Sequence, residues 1–329
     1  MSLPVLRVGL IGNGTVGSAF AAALANNEER LTQRLGARLR LVQVAVRDVD
    51  RHRPEHPALH LHDDPEALAA DGSIDVVVEA SGSRDAAHWL RIAIARGAAA
   101  VSANKFAIAT DRSLLQVIAE RHPLFHCEAA VAGALPIVRA LRDSLDGEEI
   151  LDLRGVLNGT TTFVLSQIEL GDCFRDALHA ARASGYAEDD ASADLSGQDA
   201  AAKLAILATL AWRRPVTLDD VPTRGISGNI VDVVRVAREY GSRVRLVAEA
   251  WEDEGLHLRV EPKILEAGDV LARAEGVVNV VEVRSALAGP LVWYGAGAGG
   301  DRTASALVGD VLAAARALTT GRSAGRIAA

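Results

Sequence analysis

An almost continuous apolar run from Val5 to Ile11, interrupted only by Arg7 and Gly9, ends in a glycine cluster. That is the pattern of a buried parallel strand. Val16 to Leu24 continues as an Ala-rich helix, and Leu39 to Arg47 forms a second strand around Leu41, Val42, Val44 and Val46. Further strands are predicted over Ile74–Glu79, Ala98–Ser102 and Leu124–Cys127. Between them lie helices over Asp85–Arg96 and Asp111–Arg121, the latter opened by an Asp cap. Strictly alternating strands and helices imply a mainly parallel sheet with right-handed crossovers.

The pattern changes near Val131. Pro136 starts a helix to about Leu145, Ile150–Val156 reads as a strand, and helices follow over Thr160–Leu170, Phe174–Ser184 and Gly197–Trp212. Arg243–Trp251 and Leu256–Ile264 alternate like antiparallel strands joined by the turn Glu252-Asp253-Glu254-Gly255. After a glycine-rich turn, Thr303–Leu318 is a last helix. The expected architecture is therefore α/β: a parallel-sheet domain over residues 1–130, completed by 300–329, and an α+β domain over 131–299. A chain of 329 residues suits two domains of about 150 residues.

Composition narrows the class. The chain is 49% hydrophobic, 24% charged and only 4% aromatic, so it can bury a large, mostly aliphatic core. A net charge of −8 argues against sequence-independent nucleic-acid binding, which needs clustered Lys and Arg. Cys127 and Cys173 are the two cysteines, too few for a disulfide framework or a Cys-rich metal site. Met1-Ser2-Leu3-Pro4 lacks the basic start and apolar stretch of a signal peptide, and no run of 18 apolar residues occurs. A cytoplasmic protein without membrane attachment is expected.

Gly12-Asn13-Gly14-Thr15-Val16-Gly17 matches G-x-G-x-x-G and follows a strand and opens a helix, as dinucleotide binding requires. The first glycine permits the turn, the second lets the backbone approach the pyrophosphate, and the third allows close helix–strand packing. The expectation is a Rossmann-type domain that places the pyrophosphate at a helix N-terminus. The second strand ends at Arg47-Asp48, with Arg51 and Arg53 beyond. An acid at this place suits NAD and an Arg the 2′-phosphate of NADP. Arg47 comes first, which favours NADP(H) and leaves NAD(H) open.

Taken together, six blocks make the chain resemble homoserine dehydrogenase, the enzyme that interconverts aspartate 4-semialdehyde and homoserine. They are Gly12–Gly17 with Ser18-Ala19-Phe20; Ser102-Ala103-Asn104-Lys105; Glu128 through Ala134-Leu135-Pro136; Gly155 through Thr161; Gly185-Tyr186-Ala187-Glu188 on to Asp199 and Lys203; and Gly295 through Gly299 to Thr303-Ala304-Ser305-Ala306. The likeness runs in order along nearly the whole chain.

The resemblance implies roles that fit the chemistry of the residues. Asp199 and Lys203 share one face of a helix at i, i+4, among alanines and the apolar run Leu204–Leu210. A lysine so surrounded needs a partner and shifts its pKa readily. In the family Lys203 corresponds to the proton donor to the aldehyde oxygen, and Asp199 and Glu188 to substrate ligands. Lys105 ends a strand at the carboxyl edge, where ligands of open α/β sheets bind. It competes with Lys203 for the donor role; the resemblance favours Lys203, with Lys105 as electrostatic support and cofactor contact. Ser81 and Gly299 are further expected cofactor contacts. Glu128, Val131, Gly133 and Leu135 match the family's monovalent-cation loop, in which a carboxylate and main-chain carbonyls hold sodium at the domain hinge, and oxygen donors suit such a cation.

Two departures from the family pattern occur. Ala191 stands where a proline usually follows Asp190, and Thr162-Phe163 replaces Asn-Tyr after the threonine pair. The first loosens a loop without removing a functional group; the second removes two polar contacts. The resemblance also implies a homodimer formed through the second domain. A chain ending about ten residues after its last helix is expected to escape the threonine inhibition of the family's longer members.

His52, His56, His60 and His62 suggest a metal, but Pro54 and Pro57 interrupt any helix that would align them, so a surface loop is expected. Cys127 beside Glu128 would fit a thiohemiacetal mechanism of the aspartate-semialdehyde dehydrogenase type, yet a buried inert thiol explains it more simply. A dinucleotide sensor without catalysis is the remaining alternative.

Overall fold

A computed structural model describes residues 3–53 and 59–327, with side-chain environments through Thr319. These residues cluster into two compact units. One runs up to Ala134 and resumes at Gly299; the other spans Leu135–Ala298.

The first unit is built on a six-stranded sheet of β1 (Val5–Ile11), β2 (Arg38–Ala45), β3 (His60–His62), β4 (Val76–Glu79), β5 (Ala99–Ser102) and β6 (Phe125–His126). The strand order is β3-β2-β1-β4-β5-β6, and every pairing is parallel. This is the doubly wound order that places a dinucleotide where the order reverses, outside the carboxyl ends of β1 and β4. All four residues of β4 and of β5 are buried, which is why those strands read as continuous apolar runs. Leu6, Val8 and Leu10 of β1 join Phe20 and Leu24 of the helix Thr15–Asn26 and Leu307 and Val311 of the helix Gly300–Ile327 in one core. Burying each such side chain is worth about 1.5–3 kcal/mol.

In the second unit, β7 (Ile150–Val156), β8 (Arg243–Glu252), β9 (Leu256–Leu265), β10 (Val278–Ser285) and β11 (Gly289–Ala296) form an antiparallel sheet. Its order is β11-β10-β7-β8-β9. The helix Gln198–Trp212 packs on β7, β8 and β9. Every residue from Asp199 to Leu210 is buried, so this is an interior helix, apolar nearly all round. Arg245 is fully buried on β8, where Glu169 and the Ala274 carbonyl satisfy its guanidinium.

Several elements differ from expectation. The second strand stops at Ala45, so Arg47 and Asp48 stand beyond it. The helix expected from Pro136 is a short turn, Ile137–Arg139, continued by a π-helical segment, Ala140–Ser144. The last helix runs from Gly300 to Ile327, further than Leu318 at its C-terminal end. β10 and β11 are two strands that the sequence reading passed over. The histidine segment is only partly a loop. His52 ends the helical turn Val49–His52, while His60 and His62 lie on β3 with their rings stacked 5.0 Å apart. His56 falls outside the described residues. Among the described residues no group of three or more His, Cys, Asp or Glu could hold a metal, and no helix is long and apolar enough to cross a membrane.

Candidate active site

The glycine loop has the form a dinucleotide needs. Gly12 adopts φ +91, and a Cβ there would come within 2.5 Å of the Ser81 main chain. A Cβ on Gly17 would intrude on the Gly12 carbonyl, well inside the 3.0 Å that real Cβ atoms respect. Around Gly14 there is open space instead, the side from which a pyrophosphate approaches. The helix Thr15–Asn26 starts at Gly14 without a side-chain cap and without acidic residues in its first turn. Its leading N–H groups and dipole therefore remain suited to an anion. Thr15 and Val16 open that helix, and a Cβ on Gly300, beside Gly299 (φ +123), would meet Thr15 at 3.0 Å. Gly300, at the start of the last helix, thus lies against the start of the first one.

A buried carboxylate organises the neighbouring edge of the sheet. Glu79, at the end of β4, accepts from Ser81 N at 2.8 Å, from Ser81 Oγ at 2.7 Å and from Ser102 Oγ at 2.7 Å. Burial pushes its carboxyl pKa up, against the pull of these hydrogen bonds. Ser102 Oγ accepts in turn from Asn104 N at 3.0 Å. Asn104 caps the helix Lys105–Thr110 through Ala107 N and donates to the Ser83 carbonyl. One network therefore fixes both Ser81, packed against the glycine loop, and Lys105, the first residue of that helix. Sequence reading did not single out Glu79, because an acid that ends a strand is usually solvated.

Arg47 is exposed beyond β2, and Asp48 accepts from Arg51 N at 3.0 Å as the cap of Val49–His52. Asn13, 4% exposed in the glycine loop, meets His52 Nδ1 at 3.2 Å. Glu128, Val131 and Gly133 are buried in this unit around a tight reversal with Ala132 and Gly133 at positive φ, and Leu135, also buried, opens the second unit.

In the second unit the acid–lysine pair is real and enclosed. Lys203 Nζ donates to Asp199 Oδ2 at 2.7 Å and to the Leu157 carbonyl at 2.6 Å. The two residues are 9% and 5% exposed. Asn158 ties the cluster together. Its Oδ1 accepts from Thr161 N and caps the helix Gly159–Leu170. Its Nδ2 donates to Asp199 at 2.8 Å and to Asp194 at 2.6 Å. Thr160 Oγ1 donates to the Tyr186 carbonyl, and the Phe163 and Tyr186 rings lie 5.1 Å apart, so the departure at Phe163 leaves a packing contact there. Glu188 is exposed on the loop after Gly185, outside the buried cluster around Lys203. From Ala187 to Ser192 that loop carries only polar and small side chains, of which Ala191 alone is buried. Asp194, Asn158 and the Leu157 carbonyl are site groups that sequence reading left unassigned.

Burial, and then the nearby Asp199 charge, push the Asp194 carboxyl above its ordinary value of 3.8. An acid with a raised folded pKa costs stability wherever it is ionised, and that cost vanishes below the unfolded value. Asp194→Asn should therefore raise the melting temperature near neutral pH. The gain should shrink towards zero as pH falls to 3.8, read from melts over a pH series. A gain that grows on acidification would contradict this electrostatic account.

Cys127 is 3% exposed, a buried thiol. A family model described as "Homoserine dehydrogenase, NAD binding domain" matches residues 12–130, and one described as "Homoserine dehydrogenase" matches residues 136–312. A curated homoserine dehydrogenase of Helicobacter pylori is 38% identical over 314 residues, covering 94% of this chain and 74% of that protein. The crystal structure of a homoserine dehydrogenase from Thiobacillus denitrificans superposes with a TM-score of 0.90 at 37% identity, over 97% of this chain and 75% of that one. A hyperthermophilic archaeal homoserine dehydrogenase mutant in complex with NADPH gives a TM-score of 0.80 at 27% identity, over 94% of this chain and 97% of that one. None of these matches favours the aspartate-semialdehyde dehydrogenase alternative.

Proposed function

The chain belongs to the homoserine dehydrogenase family, and we propose that Lys203 is the proton donor and acceptor of its reaction, with Asp199, Asn158 and Asp194 holding it in place. The family is one of dinucleotide-dependent oxidoreductases acting on a CH–OH group in amino-acid biosynthesis. The observation that carries the assignment is the Lys203 ammonium, buried between a carboxylate and a main-chain carbonyl. Asp199 offsets the burial of that ammonium with its negative charge, and the Leu157 carbonyl fixes its direction. The bound nicotinamide supplies or accepts the hydride. As the semialdehyde carbon gains a hydride, its oxygen gathers negative charge, which Lys203 stabilises and neutralises with a proton; homoserine oxidation returns that proton to Lys203. Asp194 and Asp199, with Glu188 on its loop, supply the negative charge that suits the substrate ammonium.

For the cofactor, we infer NADP(H) as the preferred dinucleotide and NAD(H) as a poorer one. Asp48 is engaged in capping its own turn, while Arg47 is exposed just past the end of β2. The relative solved with NADPH agrees in kind. Aspartate 4-semialdehyde reduction should run with a lower KM for NADPH than for NADH. Arg47→Ala, by removing a charge-assisted hydrogen bond worth about 1.5–3 kcal/mol, should raise the NADPH KM about 10- to 100-fold and leave that for NADH unchanged. Equal KM values for the two cofactors in the unaltered enzyme would overturn the inference.

The same membership supports three further assignments. Glu128, 2% exposed, with the main-chain carbonyls of Val131 and Gly133, supplies oxygen donors of the kind that suit sodium. A homodimer through the second unit suits its sheet surface, where Arg154 pairs with Glu282 and Asp269, Arg259 with Glu249, and Trp251 stacks on His257. Cys127 and Cys173, which form no disulfide among the described residues, suit a reducing cytoplasm.

A further inference from the structure

The Leu157 carbonyl lies one residue past the last ladder pair of β7 with β10, Val156–Val280, so its hydrogen bonds come from side chains. It receives Lys203 Nζ at 2.6 Å and, from the other strand, Asn279 Nδ2 at 3.1 Å. Asn279 is 1% exposed on β10, where it pairs with Gly295 of β11. Its Oδ1 is buried with no hydrogen-bond partner among the described residues. A buried amide is seldom left half-satisfied. Turning it over would set its oxygen against the Leu157 carbonyl, two acceptors face to face. The donation to Leu157 therefore decides the orientation of this amide, at the expense of its own oxygen. Gly297 lies flat against the same amide: a Cβ there would overlap all three of its terminal atoms.

We propose that Asn279 is a positioning residue for Lys203, clamping the Leu157 carbonyl so that the ammonium is held at a fixed place for proton transfer. A lysine stem is long and flexible, and the acceptors at its tip set where the charge sits. Asp199 lies on the same helix as Lys203, whereas the Leu157 carbonyl directly follows β7, so this carbonyl ties the ammonium to the end of a strand. Asn279 acts through that carbonyl and needs no contact with substrate. The inference rests on Lys203 being the proton donor.

The test uses Asn279→Leu, which keeps the shape of the side chain, removes the donor and also removes the unpaired oxygen. Gly297→Ala is the second variant, because it displaces the amide without changing Asn279. Both should lose kcat about 10- to 100-fold, the scale of a misplacement near 1 Å, and in Asn279→Leu the KM for NADPH should be unchanged. The melting temperature of the Asn279→Leu protein should be equal or higher. A kcat within twofold of the unaltered enzyme in Asn279→Leu overturns the proposal, as does a kcat loss that follows a fall in melting temperature. Lys203→Met, assayed alongside, separates the two levels of the argument. If it keeps turnover, the donor assignment and this inference fall together; if it is inactive while Asn279→Leu is fully active, only this inference falls.

Discussion

Lys203→Met is expected to lower kcat by about 10²- to 10⁴-fold, the range over which a positioned general acid contributes to catalysis. The methionine keeps the length and apolar stem of lysine, so the loss isolates the ammonium. NADPH binding, read by fluorescence titration, should be unchanged, because the glycine loop belongs to the other unit. The substitution also leaves Asp199 buried at 5% exposure without its cation. Breaking a buried pair in this way typically costs about 3–5 kcal/mol. Pairing Lys203→Met with Asp199→Asn removes the stranded charge and should recover most of that stability without recovering turnover. Recovery of both would mean that Lys203 only serves the fold. Turnover within tenfold of the unaltered enzyme in the single variant would move the donor role elsewhere, with Lys105 the first candidate.

Much of this site was legible from residue types and spacing, and the rest was hidden for identifiable reasons. Lys203 and Asp199 could be read because a helix sets i and i+4 on one face, and their apolar neighbours signalled burial. Asn158 stands just before the helix expected from Thr160, but its reach to Asp194 and Asp199, 36 and 41 residues away, has no local pattern. The Leu157 carbonyl is a main-chain group and leaves no mark on the sequence at all. Asn279, 122 residues from the carbonyl it holds, lies on a strand that was itself passed over. Glu188 shows the converse. Its role came from resemblance alone, and it stands exposed on its loop, where no local pattern marks a ligand.

The fold divides in the same way. β1, β4 and β5 could be read because parallel strands covered on both faces are continuously apolar. β3 has three residues, too few for any period to show, and β11 alternates between half-buried and exposed positions with Pro290 inside it. That proline is tolerated because β11 is an edge strand, where a missing N–H need not break a ladder. The long final helix could be read at its start, where glycine precedes it, but not at its end. Past Leu318 come Thr319, Thr320 and Gly321, which usually weaken a helix.

Gly17→Ala should nearly abolish dinucleotide binding, and it should do so by a different route from Gly14→Ala. At Gly17 the added methyl collides with the Gly12 carbonyl, so either the turn or the helix start must move. Overpacking of this kind costs about 1–3 kcal/mol of stability, and more where backbone is the obstacle. Displacing the helix start also misaims its free N–H groups. Losing two charge-assisted hydrogen bonds of about 1.5–3 kcal/mol each weakens cofactor binding by at least about 100-fold. Gly14→Ala meets nothing within 4 Å, so the melting temperature of the free protein should stay within a degree or two. Its methyl instead occupies the side from which the pyrophosphate approaches, and affinity should fall with the fold intact. Calorimetric titration with NADPH and thermal melts of the free proteins separate the two cases. Equal melting temperatures for the two variants would show that the Gly17 contact relaxes at little cost. Unimpaired NADPH binding in Gly14→Ala would place the pyrophosphate elsewhere, and the glycine loop would then serve only the packing of its helix against β1.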